Sequence, residues 1–171
     1  MVIDVPAAGE FRIFGSLITA WNTPVVDMGT AGADRGQGGR YVLLPPNFTE
    51  NLSAEFIAAP SRSFNNYMVI RFVPHTPIPE TFAAALALLQ QVRIYPLDQS
   101  VDPQPRRFTD AAGRTFNAHP QFDESLYRSI TRMHKEEAGR PVEANIAAKL
   151  ISLGMVHGRR FDPDESQQTA M

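Results

Sequence analysis

The segment that most constrains this chain is residues 28–40, MGTAGADRGQGGR, which holds five of the eleven glycines in a chain of 171 residues. Glycine at that density frees the backbone for conformations that side chains forbid, so the stretch is a loop and not a helix or strand. Apolar, strand-like runs lie on either side of it, FGSLITAWNTPVV before and YVLL after. A phosphate-binding reading of GTAGADRGQGG fails on order. A P-loop needs GxxxxGK[ST] leading from a strand into a helix, and here the last glycines lead into Arg40, Tyr41 and Val42, a strand. The loop is read as a surface connection at one end of a β framework, with no helix inside it.

Strand signals surround the loop. Val2, Ile3, Asp4 and Val5 form a β-branched run stopped by Pro6. In residues 11–20, Phe11, Ile13, Gly15, Leu17 and Thr19 share one face, while Arg12, Phe14, Ser16, Ile18 and Ala20 share the other. The first face is the more apolar, so its burial is expected. Trp21 continues that alternation into the core, and Thr23-Pro24 then breaks the run. Residues 41–44 are too apolar to alternate, which predicts a strand covered on both faces. Residues 55–59 supply a short strand before Pro60. Residues 66–73 are the clearest strand, with Tyr67, Val69, Arg71 and Val73 on one side and Met68, Ile70 and Phe72 on the other. Five strands separated by glycine and proline turns predict an antiparallel sandwich.

Helical spacing first appears at residues 79–91, where proline occupies the first turn and Phe82, Leu86 and Leu89 form the apolar stripe. Residues 92–95 return to an extended pattern. A polar, proline-bearing linker over residues 98–107 sets the domain boundary, giving a β-sandwich over residues 1–97 and a helical module over residues 98–171. FTDAAGRTF reads as a small hairpin turning at Gly113. Asp123 then caps a helix whose Leu126, Ile130 and Met133 share a face, with Gly139 as its stop. Another helix begins near Pro141 with a Val142, Ile146, Leu150, Leu153 stripe and Gly154 as its C′ residue. Asp162-Pro163 is read as the start of a last one.

Composition narrows the function classes. Hydrophobic residues at 43% and charged residues at 20% are globular values and argue against wholesale disorder. A net charge of -2, with basic residues no denser than the pairs Arg106-Arg107 and Arg159-Arg160, offers no field for nucleic acid. Cysteine is absent, which excludes disulfides, thiolate metal sites and thiol nucleophiles. The longest apolar run, residues 82–89, is far short of the ~20 residues a membrane span needs.

Several segments resemble a bacterial protein family known as domain of unknown function 1254. They are FGSLITAWNTPVVDMGTAGADRGQGGRYVLLPP, then VRIYPL, then the EEAGRP…LISLGMVHGRRFDPD run. The resemblance implies an immunoglobulin-like sandwich followed by a helical module. It also implies strands before the equivalent of Val2 and a second domain of unknown function, number 1214, after the equivalent of Met171, so the chain reads as a fragment or a split member. Many relatives look exported. The family supplies no established reaction, cofactor or catalytic residue.

The chemistry-bearing residues form no diagnostic set. Asp27, Asp34 and Asp110 lack EF-hand spacing, and Asp27 is read as closing the loop through backbone amides. His75, His119, His134 and His157 contain no HxH or HxxxH pair. There is no GxSxG elbow and no SxxK. Trp21, Tyr41 and Tyr67 could form an aromatic platform, against which stands the core role of large aromatics. Ligand-binding candidates are therefore Trp21, Asp27, Asp34, Arg40 and Tyr41, with no catalytic residue, metal or cofactor assigned. The expected function is a non-catalytic binding or scaffold domain of a larger bacterial protein, with export implied only by the relatives and the compartment left unassigned. The alternative is part of a hydrolase acting on a polymer or envelope substrate, its cleft completed by segments absent here. Missing strands or a second domain are the expected partners, and self-association through unpaired edges is expected in their absence.

Overall fold

Alternation places Phe11–Thr19 and Asn66–Pro74 with one apolar face inward, whereas Gly39–Leu44 is covered on both faces, and the strands stack as two sheets. The computed structural model describes residues 1–99, 107–115, 117, 119–137, 144–156, 159 and 161–169. It forms two compact units, Met1–Asp110 and Ala111–Met171. In the first unit, β1 (Val2–Val5), β4 (Gly39–Leu44), β5 (Phe56–Pro60) and β7 (Arg93–Tyr95) make a four-stranded sheet in the order β5-β4-β1-β7. The other sheet has the order β3-β2-β6, from β2 (Phe11–Thr19), β3 (Pro24–Gly29) and β6 (Asn66–Pro74). The result is sandwich-like and not a closed barrel.

The core lies between the sheets. Ile3, Val5, Tyr41 and Ala59 come from the first sheet, and Ile13, Leu17 and Met28 from the second. In β2 the buried positions are Ile13, Gly15, Leu17 and Thr19, the more apolar of its two faces. The uniformly apolar β4 is covered on both sides. Tyr41 and Leu43 face the intersheet core, whereas Val42 and Leu44 join Val2 and Tyr95 beneath Phe48, Leu52, Phe56 and Leu97.

Two strands depart from the sequence reading. β5 pairs with β4 in parallel, Arg40 opposite Phe56 through Leu44 opposite Pro60. Parallel neighbours need a crossover, and residues 45–55 provide it, laying Phe48 and Leu52 over the outer face of the sheet. The strand β3 begins at Pro24, where the sequence reads as a break. β3 is an edge strand, and proline at the first position of an edge costs the ladder no donor.

Trp21 is also not in the core. β2 ends at Thr19, and the chain turns through Ala20 and Trp21, leaving the indole half-buried. The Thr19 hydroxyl holds this turn by accepting the N–H groups of Trp21 and Thr23 at 3.3 and 3.1 Å. The helix α1 (Pro79–Leu89) buries only Ala85 fully, with Leu88 packed against the intersheet core. Phe82 and Leu86, expected on the covered stripe, are 55% and 56% exposed. A helix that is apolar on every side has no periodic signal to choose its buried face.

In the second unit, α2 (Glu124–Glu136) starts as expected at Asp123, whose carboxylate accepts the Ser125 N–H at 2.8 Å. Tyr127 on α2 stacks on Phe161, ring centroids 6.0 Å apart. α3 (Ala144–Ser152) ends in a Schellman motif: Met155 N–H reaches Leu150 O and Gly154 N–H reaches Ile151 O, both at 2.9 Å, with Gly154 at φ 81°. α4 (Glu165–Thr169) is capped by Asp164 and not by Asp162, since Asp164 and Gln167 exchange backbone and side-chain hydrogen bonds of 2.8 and 2.9 Å. Residues 107–115 form a turn at Gly113 without a ladder among the described residues. All of them are exposed, so strands there would bury nothing. Phe116, Gly139, Val142, most of the expected linker and the side chain of Ile146 lie outside the described residues.

The single tryptophan reports on this arrangement. Trp21→Ala is expected to cost about 1 kcal/mol, against about 3 kcal/mol for Ile13→Ala in the sealed core. Denaturant titration of both variants checks the contrast, and native emission should fall between that of a core and a free tryptophan.

Candidate functional site

The glycine-rich loop is organised by one carboxylate. Asp34 is buried, and its Oδ1 accepts the Gly29 N–H at 2.6 Å and the Tyr41 hydroxyl at 2.6 Å. Its Oδ2 accepts the Gly38 N–H at 3.1 Å. Asp34 thereby ties both ends of the loop to the phenol of β4. Further backbone bonds knit the interior: Gly36 N–H to Gly29 O at 3.0 Å, Ala33 N–H to Asp27 O at 2.9 Å and Gln37 N–H to Asp34 O at 2.9 Å. Thr30 N–H to Ile13 O and Ala8 N–H to Gly36 O, each 2.8 Å, fasten the loop to β2 and to the β1–β2 turn. The loop contains turns and no helix, and it delivers the chain directly into β4.

The candidate residues do not converge. Asp34 and Tyr41 form one buried structural pair. Asp27 is exposed on β3 and accepts the Ser16 hydroxyl at 2.5 Å; it closes the loop through its backbone carbonyl and not through its carboxylate. Arg40 lies on the opposite sheet, paired with Glu55 and stacked 5.0 Å above the Phe56 ring. Trp21 follows the end of β2 remote from the loop, which is attached at Ile13. Among the described residues no three His, Asp or Glu side chains are grouped to hold a metal ion.

The structure instead assembles a surface on the outer face of the three-stranded sheet. Register places Gly29, Phe14 and Arg71 in one row, Asp27, Ser16 and Val69 in the next, and Pro24, Ile18 and Tyr67 in a third. Phe14, Tyr67 and Val69 are each 40% exposed or more. A groove of about 420 Å³ crosses these rows, walled at the loop by Ala31 and Gly32. Arg71 has no carboxylate partner among the described residues, and Asp27 answers only to Ser16. The sequence signal for this face was the residue set opposite the core: a sheet open to water is expected to be polar there, yet β2 and β6 both carry large apolar side chains outward.

A family model described as a protein of unknown function (DUF1254) matches residues 1–96. The chain belongs to this family. Among curated proteins no match is found. Among solved structures, this DUF1254 chain is similar to the VPA0106 protein from Vibrio parahaemolyticus, with a TM-score of 0.66 at 13% identity. That likeness covers 98% of the present chain and 40% of the other, so the chain spans less than half the length of its structural relative. At this identity the likeness is one of fold. It describes the same sandwich that the register and the buried faces describe.

Two properties of the loop can be measured. Gly29 sits at φ 87°, and a Cβ there would lie 2.2 Å from Ile13 O, whereas Gly36 at φ 76° has nothing nearer than 3.4 Å. Gly29→Ala is expected to lose about 3 kcal/mol by combining left-handed strain with a clash, and Gly36→Ala about 1 kcal/mol from strain alone. Chemical denaturation of the two variants separates the terms.

Burial, then the hydrogen bond to Asp34 and its nearby charge, holds the Tyr41 phenol well above the ordinary tyrosine range. The unfolded chain releases this proton near pH ~10 while the folded chain keeps it. The stabilisation is therefore fully present below pH ~10 and is lost as pH rises beyond it. Tyr41→Phe should be less stable by about 2 kcal/mol at neutral pH and should show a shallower alkaline decline in melting temperature.

Proposed function

We propose that this chain is a non-catalytic binding or scaffold module of a larger, exported bacterial protein, and that it docks a further polypeptide layer on the outer face of the β3-β2-β6 sheet. The observation that carries this reading is the uncovered apolar grid of Phe14, Ile18, Tyr67 and Val69, edged by Arg71 and Asp27. Exposed apolar sheet faces of this kind mark interaction surfaces. A further point supports it. The VPA0106 protein is more than twice the length of the matched region, leaving room for added layers in a related protein. The immunoglobulin-like arrangement and export both rest on the family resemblance. The hydrolase alternative would draw its cleft from the glycine-rich loop, where Asp34 is already engaged by two backbone amides and a phenol.

Anilinonaphthalene sulfonate, an aromatic anion, probes the face directly. A Phe14→Ser, Val69→Ser double variant should keep its far-ultraviolet circular dichroism and lose a measurable part of the wild-type dye fluorescence, since those side chains supply part of this face's exposed apolar area. Unchanged dye binding in the sheet variant would remove this face from consideration.

A further inference from the structure

The charge pattern of the open sheet contains more than its apolarity. Two of its three charges sit on opposite edge strands: Asp27 on β3 beside Ser16, and Arg71 on β6 beside Phe14. They are two strands apart laterally and one row apart along the strands, about 12 Å between backbones by ordinary sheet spacings. Arg12 is a third charge, exposed at the far end of β2 opposite Val73. An antiparallel sheet presents a polar outer face when water is its permanent neighbour; this one presents Phe14, Ile18, Tyr67, Val69 and Val73.

We infer that the outer face of the β3-β2-β6 sheet pairs with the same face of a second copy of this chain, related by a two-fold axis running parallel to β2. The inference rests on the reading of this face as a docking surface and names its partner. An axis along the strands exchanges the two edges, so the partner copy's β3 lies over β6. That places the Asp27 carboxylate of each copy one row from Arg71 of the other, within reach of an arginine side chain, and it does so twice. Phe14 meets its counterpart across the axis, as do Ser16 and Ile18, and Pro24 covers Tyr67. Residues on one surface patch then satisfy each other, which is the requirement of an isologous interface.

The competing axis, perpendicular to the strands in the plane of the sheet, leaves each edge over itself. Asp27 would then approach Asp27 and Arg71 would approach Arg71, with Coulomb repulsion at both edges and no compensating pair. The charges therefore select one packing from the two that the apolar side chains alone would allow. Arg12 tests the choice, since an axis along β2 brings the two Arg12 residues to the same end. Aligned sheets cross at about 30°, which carries the strand ends apart, and an exposed arginine there can extend into water.

The experiment is sedimentation velocity of the intact chain across a hundredfold concentration range, with three charge variants. The wild type is expected to show a reversible monomer–dimer equilibrium. Asp27→Arg and Arg71→Asp should each weaken the dimer about tenfold or more, because each creates like charges at both symmetric contacts. The doubly exchanged Asp27→Arg, Arg71→Asp chain should recover affinity to within about threefold, which simple misfolding of a variant cannot produce. A wild type that stays monomeric throughout, a dimer indifferent to the single exchanges, or failure of the double exchange to recover would each overturn the inference. If the chain is monomeric while the Phe14→Ser, Val69→Ser variant still loses its dye binding, the docking face stands and only its occupant changes.

Discussion

The sandwich depends on a buried carboxylate that ties a loop of glycines to a tyrosine. Without Asp34, the buried Gly29 amide and Tyr41 hydroxyl and the part-buried Gly38 amide would all need other partners. Leaving buried polar groups unmatched costs about 1–3 kcal/mol each, comparable with a large part of a domain's net stability. The arrangement also fixes geometry. Gly29 ends β3 in one sheet, and Tyr41 lies in β4 of the other, so one side chain sets how the two sheets meet at that end. Glycine is needed where the loop crosses neighbouring backbone: a Cβ would lie 2.2 Å from Ile13 O at Gly29, 2.4 Å from Met28 Cα at Gly32 and 2.6 Å from Ala7 N at Gly38.

How much of this was legible in the sequence differs from element to element. The two faces of β2 and β6, the doubly covered β4, the Asp123 cap and the Gly154 stop all rest on local patterns whose physics is local. Pro24 misled because a proline's meaning depends on whether its strand is at an edge, which is a property of the assembled sheet. Trp21 misled because alternation says which face a residue would take if the strand continued, and the strand stopped two residues earlier. The parallel partnership of β5 was invisible for a similar reason, since antiparallel and parallel strands alternate alike.

The candidate site was legible in parts but not as a site. Asp27 could be named from its chemistry, but its neighbours Ser16, Val69 and Arg71 become neighbours only through register. Asp34 and Tyr41, named as ligand-binding candidates, hydrogen-bond each other. The helix α1 shows the limit from the other direction: apolar on all sides, it gave no direction for burial, and its Phe82 and Leu86 remain in water in this unit.

The order of strands in the first sheet has a consequence for how the chain is made. β1 leaves the ribosome before the other six strands of its unit, yet its two neighbours are β4, beginning at Gly39, and β7, ending at Tyr95. The three-stranded sheet needs nothing beyond Pro74. Vectorial synthesis thus releases a set of strands able to pair among themselves while Val2, Ile3 and Val5 still lack one flank of their sheet. Closing that sheet joins residues more than ninety positions apart, the kind of long-range contact that slows folding. Nascent chains of this topology hold the apolar residues of β1 without their second flank until β7 has been made.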